Sequence, residues 1–482
     1  MAGLIHRGKR WLYLVHRWIG IVSCLLLAMW FISGVVMMYV PYPSLTAAER
    51  MEGLTAIDWG AVEGPPPFAS RPAGQPITLE QSSIGPVWRI PGDRDLAVSA
   101  SDGHAVAVND QVEAETIAMR FGHAGVRESG LIERDQWTVS GGFDRYRPLW
   151  KVALDTADAR VLYVASTSGA VVQDTRGRER FWNWLGSVPH WLYPTALRKD
   201  QPLWRQVVLW TSGLGIVGAI SGMWIGILRA RFRRHYKGGR IVPYRGWQRW
   251  HHIFGLVGGA LLCTWIVSGW LSVDPGRWFA SIGLGEAQFA AYAGSTSPPK
   301  IDWSRVRTLP VAEGVRRARL FGAAGRWVLA LEQPSATTVV DPETLRPLRF
   351  APADLTRRSA LLVPGAPIKA AQVLTHADNY WYDAKGPVEL PVLRVKFDDA
   401  RGTWVHLSLA TGEVLGELDA RRRTYRWVYD GLHRWDFDGL ITRRPLWDIW
   451  MLIWLIAGTI VSVSGVVVGW RRLALKRRRA IT

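Results

Sequence analysis

The chain has 482 residues, of which 48% are hydrophobic and 21% charged, and its formal net charge is +19 at pH 7. Its mean hydropathy of +0.02 averages very apolar and quite polar segments, which is not typical of one soluble domain. The two cysteines, Cys24 and Cys263, both lie in predicted helices, so the polar segments contain no disulfides.

Four segments are long and apolar enough to be membrane-spanning helices. They are predicted at residues 16–40, 204–228, 251–273 and 446–470. The first is too long, and too poor in a small-residue cleavage site, for a removed signal peptide, so we expect a retained anchor. Between the spans, residues 41–203 and 274–445 are each long enough to form a core of their own.

The positive charge is concentrated in three short stretches. Residues 1–20, 229–250 and 471–482 contain eighteen Lys and Arg and no Asp or Glu, which is nearly the whole imbalance. This location argues against a nucleic-acid-binding domain and matches the positive-inside rule. We therefore expect a multi-pass membrane protein with both termini and the 229–250 loop in the cytoplasm and both long segments on the outer side.

The long segments contain weak patterns first and clear ones later. Gly64-Pro65-Pro66-Pro67 predicts a loop, and short strands are expected at 86–90 and 96–100, followed by a helix near 111–121. From Pro148 onward, apolar residues alternate between turn signals, which predicts an antiparallel meander.

The second half of the chain repeats the first. His16, Gly20, Trp30 and Ser33-Gly34 recur 235 residues later as His251, Gly255, Trp265 and Ser268-Gly269. At a constant offset of 243, the meander recurs at 391–419, His190 recurs as His433, and Ser221-Gly222 recurs as Ser464-Gly465. Each half then consists of helix, outer domain and helix, and the two halves are expected to be related by an axis along the membrane normal.

Four of the eleven histidines occupy these duplicated positions. The predicted topology puts His16 and His251 at the cytoplasmic face, and His190 and His433 at the outer face. Two imidazoles brought together across the axis provide the two axial nitrogens of a haem iron. The alternative is that they are polar residues at the membrane interface, since duplication also copies inert residues.

His252 adds an ambiguity at the cytoplasmic face. Its counterpart in the first half is Arg17, so the duplication favours His251 as the ligand and leaves His252 for a haem propionate or the interface. Both assignments remain open at this point. Trp30 and Trp265 are either electron relays between the two faces or space-filling residues near the outer interface.

Several motifs resemble the PepSY-associated transmembrane family. They are HRWIGI at 16–21, HHIFGL at 251–256, and GLHRWDFDGLITRRPLWD at 431–448. The family includes inner-membrane ferric-siderophore reductases that carry two b-type haems held by histidines. The resemblance implies an α+β membrane protein with four transmembrane helices in two tandem repeats, each with a periplasmic α+β PepSY-like domain containing an antiparallel sheet. It also implies two haem b groups, with His16, His251, His190 and His433 as axial ligands.

We therefore expect a haem oxidoreductase that passes electrons outward to a periplasmic ferric siderophore or another ferric complex. The cytoplasmic parts are too short to form a flavin or nicotinamide domain, so the electrons would come from a separate cytoplasmic reductase or from membrane quinol. One alternative is a cofactor-free PepSY module that binds peptides or restrains a periplasmic protease. A small transporter is less consistent, because the spans lack internal charged residues.

Overall fold

The structure is a computed structural model that describes residues 2–64, 75–294, 297–383, 386 and 388–481. The chain forms two compact units. The membrane unit consists of Met1–Tyr42, Phe181–Ala280 and Arg423–Thr482, and the sheet unit consists of Pro43–Arg180 and Ser281–Arg422. Each unit therefore contains segments from both halves of the chain.

The helices and strands are numbered in chain order. The helices are α1 Ala2–Tyr39, α2 Ala47–Gly53, α3 Gln111–Gly122, α4 Gly177–Leu185, α5 Ser187–His190, α6 Thr195–Arg198, α7 Gln201–Arg229, α8 Gly246–Val257, α9 Gly259–Ser272, α10 Glu286–Ala293, α11 Trp303–Arg307, α12 Pro352–Ser359, α13 Ala420–Tyr425, α14 Leu432–Arg434 and α15 Leu446–Ile481. The strands are β1 Ile77–Ser82, β2 Gly85–Ile90, β3 Leu96–Ser99, β4 Ala105–Val106, β5 Val126–Ile132, β6 Leu149–Leu154, β7 Val161–Ala165, β8 Val171–Thr175, β9 Arg317–Ala323, β10 Arg326–Glu332, β11 Thr337–Val340, β12 Ile368–Leu374, β13 Val392–Phe397, β14 Trp404–Ser408 and β15 Val414–Leu418.

Three helices of the membrane unit are long and apolar enough to cross a bilayer. The qualifying stretches are His6–Tyr39 in α1, Gln201–Arg229 in α7 and Leu446–Ala474 in α15. Large apolar side chains on these helices remain exposed, including Val22, which is 73% exposed. Exposed apolar faces of this kind are stable against lipid and unfavourable in water. The protein is therefore a membrane protein with mixed α+β architecture.

The third predicted span differs from expectation. The sequence predicts one continuous helix over 251–273, but the structure has two helices, α8 and α9, bent by 70°. The bend lies at Gly258, whose N–H still donates to the Phe254 carbonyl oxygen at 2.8 Å. Gly259 follows it, and a Cβ there would come within 2.7 Å of Met223 Cγ. The two adjacent glycines lower helix propensity and permit close packing on α7, which is why the helix breaks here.

The helices of the membrane unit pack through small residues. Helix α1 contacts both α7 and α15, α9 contacts α7, and α8 contacts α15. At one crossing, a Cβ on Gly218 of α7 would lie 3.1 Å from Ile19 of α1. At another, a Cβ on Gly458 of α15 would lie 2.6 Å from the Phe31 ring. Such glycines let helix backbones approach closely where the hydrophobic effect does not drive association.

The sheet unit confirms the predicted meander in both halves. Strands β6, β7 and β8 of the first half correspond, residue by residue at an offset of 243, to β13, β14 and β15 of the second. Each meander is completed by an antiparallel edge strand, β5 or β12, to give the four-stranded sheets β5-β6-β7-β8 and β12-β13-β14-β15. The expected strands at 86–90 and 96–100 and the helix at 111–121 match β2, β3 and α3. The predicted Pro-rich loop falls largely at 65–67, outside the described residues.

A seven-stranded sheet joins the two halves of the sheet unit. Its order is β11-β10-β9-β1-β2-β3-β4, and β9 and β1 pair antiparallel at its centre. A two-fold axis between these strands exchanges the residue pair Ile77–Leu320 with the pair Glu80–Arg317. Each residue of β1 therefore corresponds to the residue of β9 that lies 240 positions later in the chain. The sequence predicts two outer domains with separate cores. In the structure, a shared core also packs Trp59 and Trp303 together, with ring centroids 6.0 Å apart.

Candidate functional site

The structure brings the four duplicated histidines together as two pairs, each with one member from each half. The ring centroids of His16 and His251 are 6.2 Å apart, with an interplanar angle of 39°. Those of His190 and His433 are 6.3 Å apart, with an angle of 71°. All four residues belong to the membrane unit. His16 lies on α1 and His251 on α8, whereas His190 and His433 lie on the short helices α5 and α14.

The rings of the first pair are held by the return helices of their own halves. His16 Nδ1 lies 3.1 Å from the Gly218 carbonyl oxygen and 3.3 Å from Ser221 Oγ, both on α7. His251 Nδ1 lies 2.9 Å from the Val461 carbonyl oxygen and 3.3 Å from Ser464 Oγ, both on α15. The two contacts are therefore the same in both halves.

The second pair uses the same contacts on different helices. His190 Nδ1 lies 3.1 Å from the Trp30 carbonyl oxygen and 3.0 Å from Ser33 Oγ, on α1. His433 Nδ1 lies 3.2 Å from the Trp265 carbonyl oxygen and 3.1 Å from Ser268 Oγ, on α9. Each histidine thus contacts a carbonyl at one position and a serine three residues later, one turn along a helix.

These contacts determine the tautomer of all four rings. A carbonyl oxygen only accepts hydrogen bonds, so each Nδ1 must donate its proton. Each serine hydroxyl donates to the same carbonyl, as Ser221 Oγ does to Gly218 at 3.0 Å, and leaves its own oxygen free to accept. Each Nε2 then has an unprotonated lone pair, and no group in the described part of the chain hydrogen-bonds it. A fixed Nδ1 donor is the arrangement that orients metal-binding histidines.

A glycine follows each serine and lies beside the ring, most closely at Gly222. A Cβ on Gly222 would lie 2.6 Å from His16 Cε1, and one on Gly465 would lie 3.2 Å from His251 Cε1. A Cβ on Gly34 would lie 3.6 Å from His190 Cε1, and one on Gly269 would lie 3.3 Å from His433 Cε1. The recurring element is therefore a Ser-Gly pair on which a histidine ring rests.

The spacing of the rings fits two axial ligands of one metal ion. Metal–imidazole nitrogen bonds are about 2 Å long and a ring centre lies about 1 Å from its nitrogen, so ligands on opposite sides have ring centres about 6 Å apart. Both measured separations match this value. The described residues contain no group of three or more His, Cys, Asp or Glu arranged for a metal ion. A haem needs only two protein ligands, because the porphyrin supplies the other four nitrogens.

The second pair lies outside the membrane-spanning segments and is uncharged at neutral pH. Burial lowers the pKa of His190 to about 4. Burial, followed by repulsion from His190, lowers the pKa of His433 to about 3. Two neutral imidazoles can both donate lone pairs to iron, whereas imidazolium cannot.

His252 does not face His16. Its Nε2 lies 3.1 Å from the Gly226 carbonyl oxygen of α7, and its ring centroid lies 5.3 Å from that of Tyr244. Consecutive residues on a helix point about 100° apart, so only one of His251 and His252 can face the partner ring. The Nδ1 atom of His252 is buried and has no hydrogen-bond partner among the residues that the structure describes.

Several residues of the site escaped the sequence analysis. The four Ser-Gly pairs were visible as repeats, but a repeat does not reveal which side chain contacts which ring. Trp30 and Trp265 contribute their backbone carbonyls to the site, and their buried indole Nε1 atoms have no hydrogen-bond partner within the described part of the chain. Tyr429, which stacks on His433 with centroids 5.3 Å apart, lies in a π-helical turn, Arg426–Gly431. Such turns are frequent at functional sites but leave no pattern in the sequence.

Comparison of the chain with models of known protein families finds no match, and no curated protein matches it. The assignment of the site therefore depends on the geometry above and on the motifs in the sequence.

Proposed function

We propose that the protein is a transmembrane haem oxidoreductase that binds two haem b groups, one between His16 and His251 and one between His190 and His433. The observation that carries this proposal is the repeated ligand geometry. Both pairs have ring centroids just over 6 Å apart, and all four Nδ1 atoms are engaged by a carbonyl and a serine. The resemblance to the PepSY-associated transmembrane family supports the same assignment.

In this proposal the chain holds and orients the cofactors. A bound haem would supply reversible one-electron chemistry at its iron. The Nδ1 hydrogen bonds hold each imidazole in the tautomer that presents Nε2, and they raise the basicity of the ligand. The Ser-Gly pairs let the rings approach the helix backbones. The buried indole N–H groups of Trp30 and Trp265, which have no hydrogen-bond partner among the described residues, are polar atoms that a haem periphery could satisfy.

The two pairs are separated along the membrane helices. Trp30, whose carbonyl contacts His190, lies fourteen residues after His16 on α1, which is about 21 Å along a helix. This separation covers most of a hydrocarbon core of about 30 Å. We propose four spans in two tandem repeats, with α8 and α9 as one broken span. Both termini would be cytoplasmic because of the positive-inside charge pattern.

Electrons would then move outward across the inner membrane, from a cytoplasmic reductase or membrane quinol to the His16–His251 haem and on to the His190–His433 haem. The acceptor would be a periplasmic ferric complex, such as a ferric siderophore, and the physiological role would be reductive iron uptake. In the proposed reaction, one electron from the donor reduces one ferric ion to ferrous iron.

The test uses single variants in membranes, with haem content per protein and reduction of an external ferric acceptor as measurements. We expect His433→Ala to lose one haem and external reduction, while the haem at His16 and His251 remains. His251→Ala should keep a haem at His190 and His433 that dithionite reduces but the cytoplasmic donor does not. His252→Ala is the matched control and should keep both haems, because His252 faces Gly226. Two haems and normal reduction in His433→Ala would contradict the proposal and favour a cofactor-free peptide-binding module.

A further inference from the structure

The first half of the sheet unit contains a cavity that is lined by both charged and apolar side chains. The charged lining side chains are those of Arg50, Glu80, Arg89 and Arg120. The apolar lining side chains include Leu54, Ile117 and Phe121, each less than 9% exposed. The cavity volume is about 40 Å³. One water needs about 10–15 Å³ on this scale, so the space fits about three waters or one small organic anion.

The charged residues that line the cavity carry more positive than negative charge. Glu80 is almost completely buried and accepts a hydrogen bond from Arg89 Nε at 2.6 Å. Burial alone would raise the pKa of Glu80, but Arg89 and Arg50 hold it below its ordinary value, so the carboxylate is ionised. Its single negative charge faces three arginines in the lining. Two positive charges therefore remain without a carboxylate in the cavity.

Arg50 and the exposed Arg120 are the two lining arginines that form no ion pair in the described part of the chain, and Arg50 is the less exposed of the two. Arg89, in contrast, pairs with Glu80 at 2.6 Å. Burial lowers the pKa of Arg50 against the effect of Glu80, and nearby Arg89 and Arg317 lower it further. A partly buried cation without a direct partner is stabilised by a ligand of opposite charge.

The surrounding structure holds the helix that carries Arg50. Helix α2 begins with a capping box between Thr46 and Glu49. Glu49 also pairs with Arg176 at 2.7 Å, and Arg316 donates to the Met51 carbonyl oxygen near the end of the helix at 2.9 Å. The helix is thus anchored at both ends. The backbone of Arg50 is therefore fixed beside the cavity, so binding needs to order only its side chain.

We propose that this cavity binds a carboxylate carried on a short apolar stem. Arg50 would be the main partner of the carboxylate, and the side chains of Leu54, Ile117 and Phe121 would contact the stem. Guanidinium groups recognise carboxylates through paired, charge-assisted hydrogen bonds, and the apolar wall excludes a strongly hydrated anion such as phosphate. Two sources provide this chemistry: a free short-chain carboxylic acid, and the C-terminal residue of a peptide. The inference does not depend on the haem assignment.

The test is calorimetric titration of the full-length protein in detergent with butyrate, its neutral isostere butyramide, phosphate, and a tripeptide ending in leucine with a free or amidated C-terminus. We expect butyrate to bind at least about tenfold more tightly than butyramide or phosphate, because a charge-assisted hydrogen bond is lost. A peptide that binds more tightly than butyrate, and only with a free C-terminus, identifies a peptide terminus as the ligand. Equal affinities identify the free acid.

The variants are Arg50→Gln and, as a matched control, Arg357→Gln. The side chain of Arg357 is 80% exposed and pairs with Asp354 at the surface of the same unit. Arg50→Gln should weaken butyrate binding at least about tenfold. Without ligand it should melt no lower than the wild type, because Glu80 keeps its ion pair with Arg89. Arg357→Gln should bind normally. Equal affinity for butyrate and butyramide would overturn the proposal. So would an Arg50→Gln variant that melts at a lower temperature and still binds butyrate, since Arg50 would then be a structural partner of Glu80.

Discussion

At the scale of single residues, the Ser-Gly pairs limit which side chains can stand beside each histidine. Gly222 is the tightest of the four positions, with its hypothetical Cβ 2.6 Å from His16 Cε1. The ring of His16 is also held by Gly218 and Ser221 on the same helix, so it cannot move away without losing its Nδ1 hydrogen bonds. A methyl group at Gly222 must therefore displace the imidazole from the position in which it faces His251.

We predict that Gly222→Ala lowers the haem content from two groups per protein to about one. Loss of an orienting contact costs roughly 10–100-fold in metal affinity, and here the ligand itself is displaced. The measurement is haem per protein in purified samples. Gly20→Ala is the matched control on α1, because its Cβ would meet only Cys24 Sγ at 4.0 Å. Full haem content in both variants would argue against ligation at His16.

A second histidine environment lies in the sheet unit. His406 on β14 is 1% exposed, accepts a hydrogen bond at Nε2 from Arg394 Nε at 2.8 Å, and stacks on Trp381 with centroids 4.6 Å apart. Asp378 completes the group through an ion pair with Arg394 at 2.6 Å. Burial, followed by the charge of Arg394, lowers the pKa of His406 to about 4, while Asp378 opposes the shift. Protonation of Nε2 would replace an acceptor with a donor that faces Arg394.

We predict that the sheet unit loses stability as the pH falls from about 6.5 to about 4. In this window the unfolded chain binds a proton at His406 and the folded state does not, so unfolding is favoured as the pH falls. At about 1.4 kcal/mol per pKa unit, the loss at pH 5 is about 2 kcal/mol. The measurement is denaturant unfolding at pH 7 and pH 5. His406→Gln should lack this part of the pH dependence, because glutamine can still accept from Arg394. An unchanged pH dependence in that variant would refute the prediction.

At the scale of elements, the break between α8 and α9 is explained by local packing. Gly259 begins α9, and the side chain of Met223 occupies the space where its Cβ would be. Gly255, one turn earlier on α8, has nothing within 4 Å of its hypothetical Cβ. The two glycines of the Gly255-x-x-x-Gly259 motif therefore have different roles, although the sequence motif does not distinguish them.

We predict opposite effects of alanine at these two glycines on thermal stability in detergent. Gly259→Ala should destabilise the protein by about 1–3 kcal/mol through overpacking against Met223. Gly255→Ala should be neutral or stabilising, because alanine favours the helix by about 0.5–1 kcal/mol. Adding Met223→Ala to Gly259→Ala should restore part of the loss. If both single variants behave alike, close packing does not explain the break.

At the scale of the whole molecule, the two halves of the sheet unit depend on each other. Strands β1 and β9 pair along the two-fold axis, and Ile77 and Leu79 are fully buried in the shared core with Leu320. Separation of the halves would expose this core and two unpaired strand edges. Each half retains the smaller core of its own four-stranded sheet, built around residues such as Val152 in the first half and Val395 in the second.

We predict that residues 43–180 or 281–422, expressed alone, aggregate or remain partly folded, and that co-expression of both segments gives a soluble complex. The reason is that the shared core needs apolar side chains from both segments. Size-exclusion chromatography and near-UV circular dichroism test this. A monomeric 43–180 segment that unfolds cooperatively would show that the first half is an independent domain.

The apolar stretches, the meanders and the duplication are readable from the sequence, because apolar length, strand alternation and internal repeats are local properties of the chain. The offset of 243 also relates the ion pairs Lys151–Asp135 and Arg394–Asp378, and Asp135 and Asp378 lie outside the predicted meanders. Boundaries agree for the strands, whose turns are marked by residues such as Gly169 and Gly412 with positive φ. The 70° bend in the third predicted span is not visible in the sequence, because it depends on how closely α9 packs against α7.

Which atoms meet depends on tertiary packing. Whether His251 or His252 faces His16 depends on the rotation of α8 about its axis, which is set by packing against α7 and α15. The engagement of each Nδ1 by a carbonyl and a serine depends on helix crossings between residues as far as 213 positions apart. The shared sheet likewise follows from pairing β1 with β9, and strand pairing between distant segments leaves no local pattern. Long-range packing therefore turned four repeated histidines into two facing pairs.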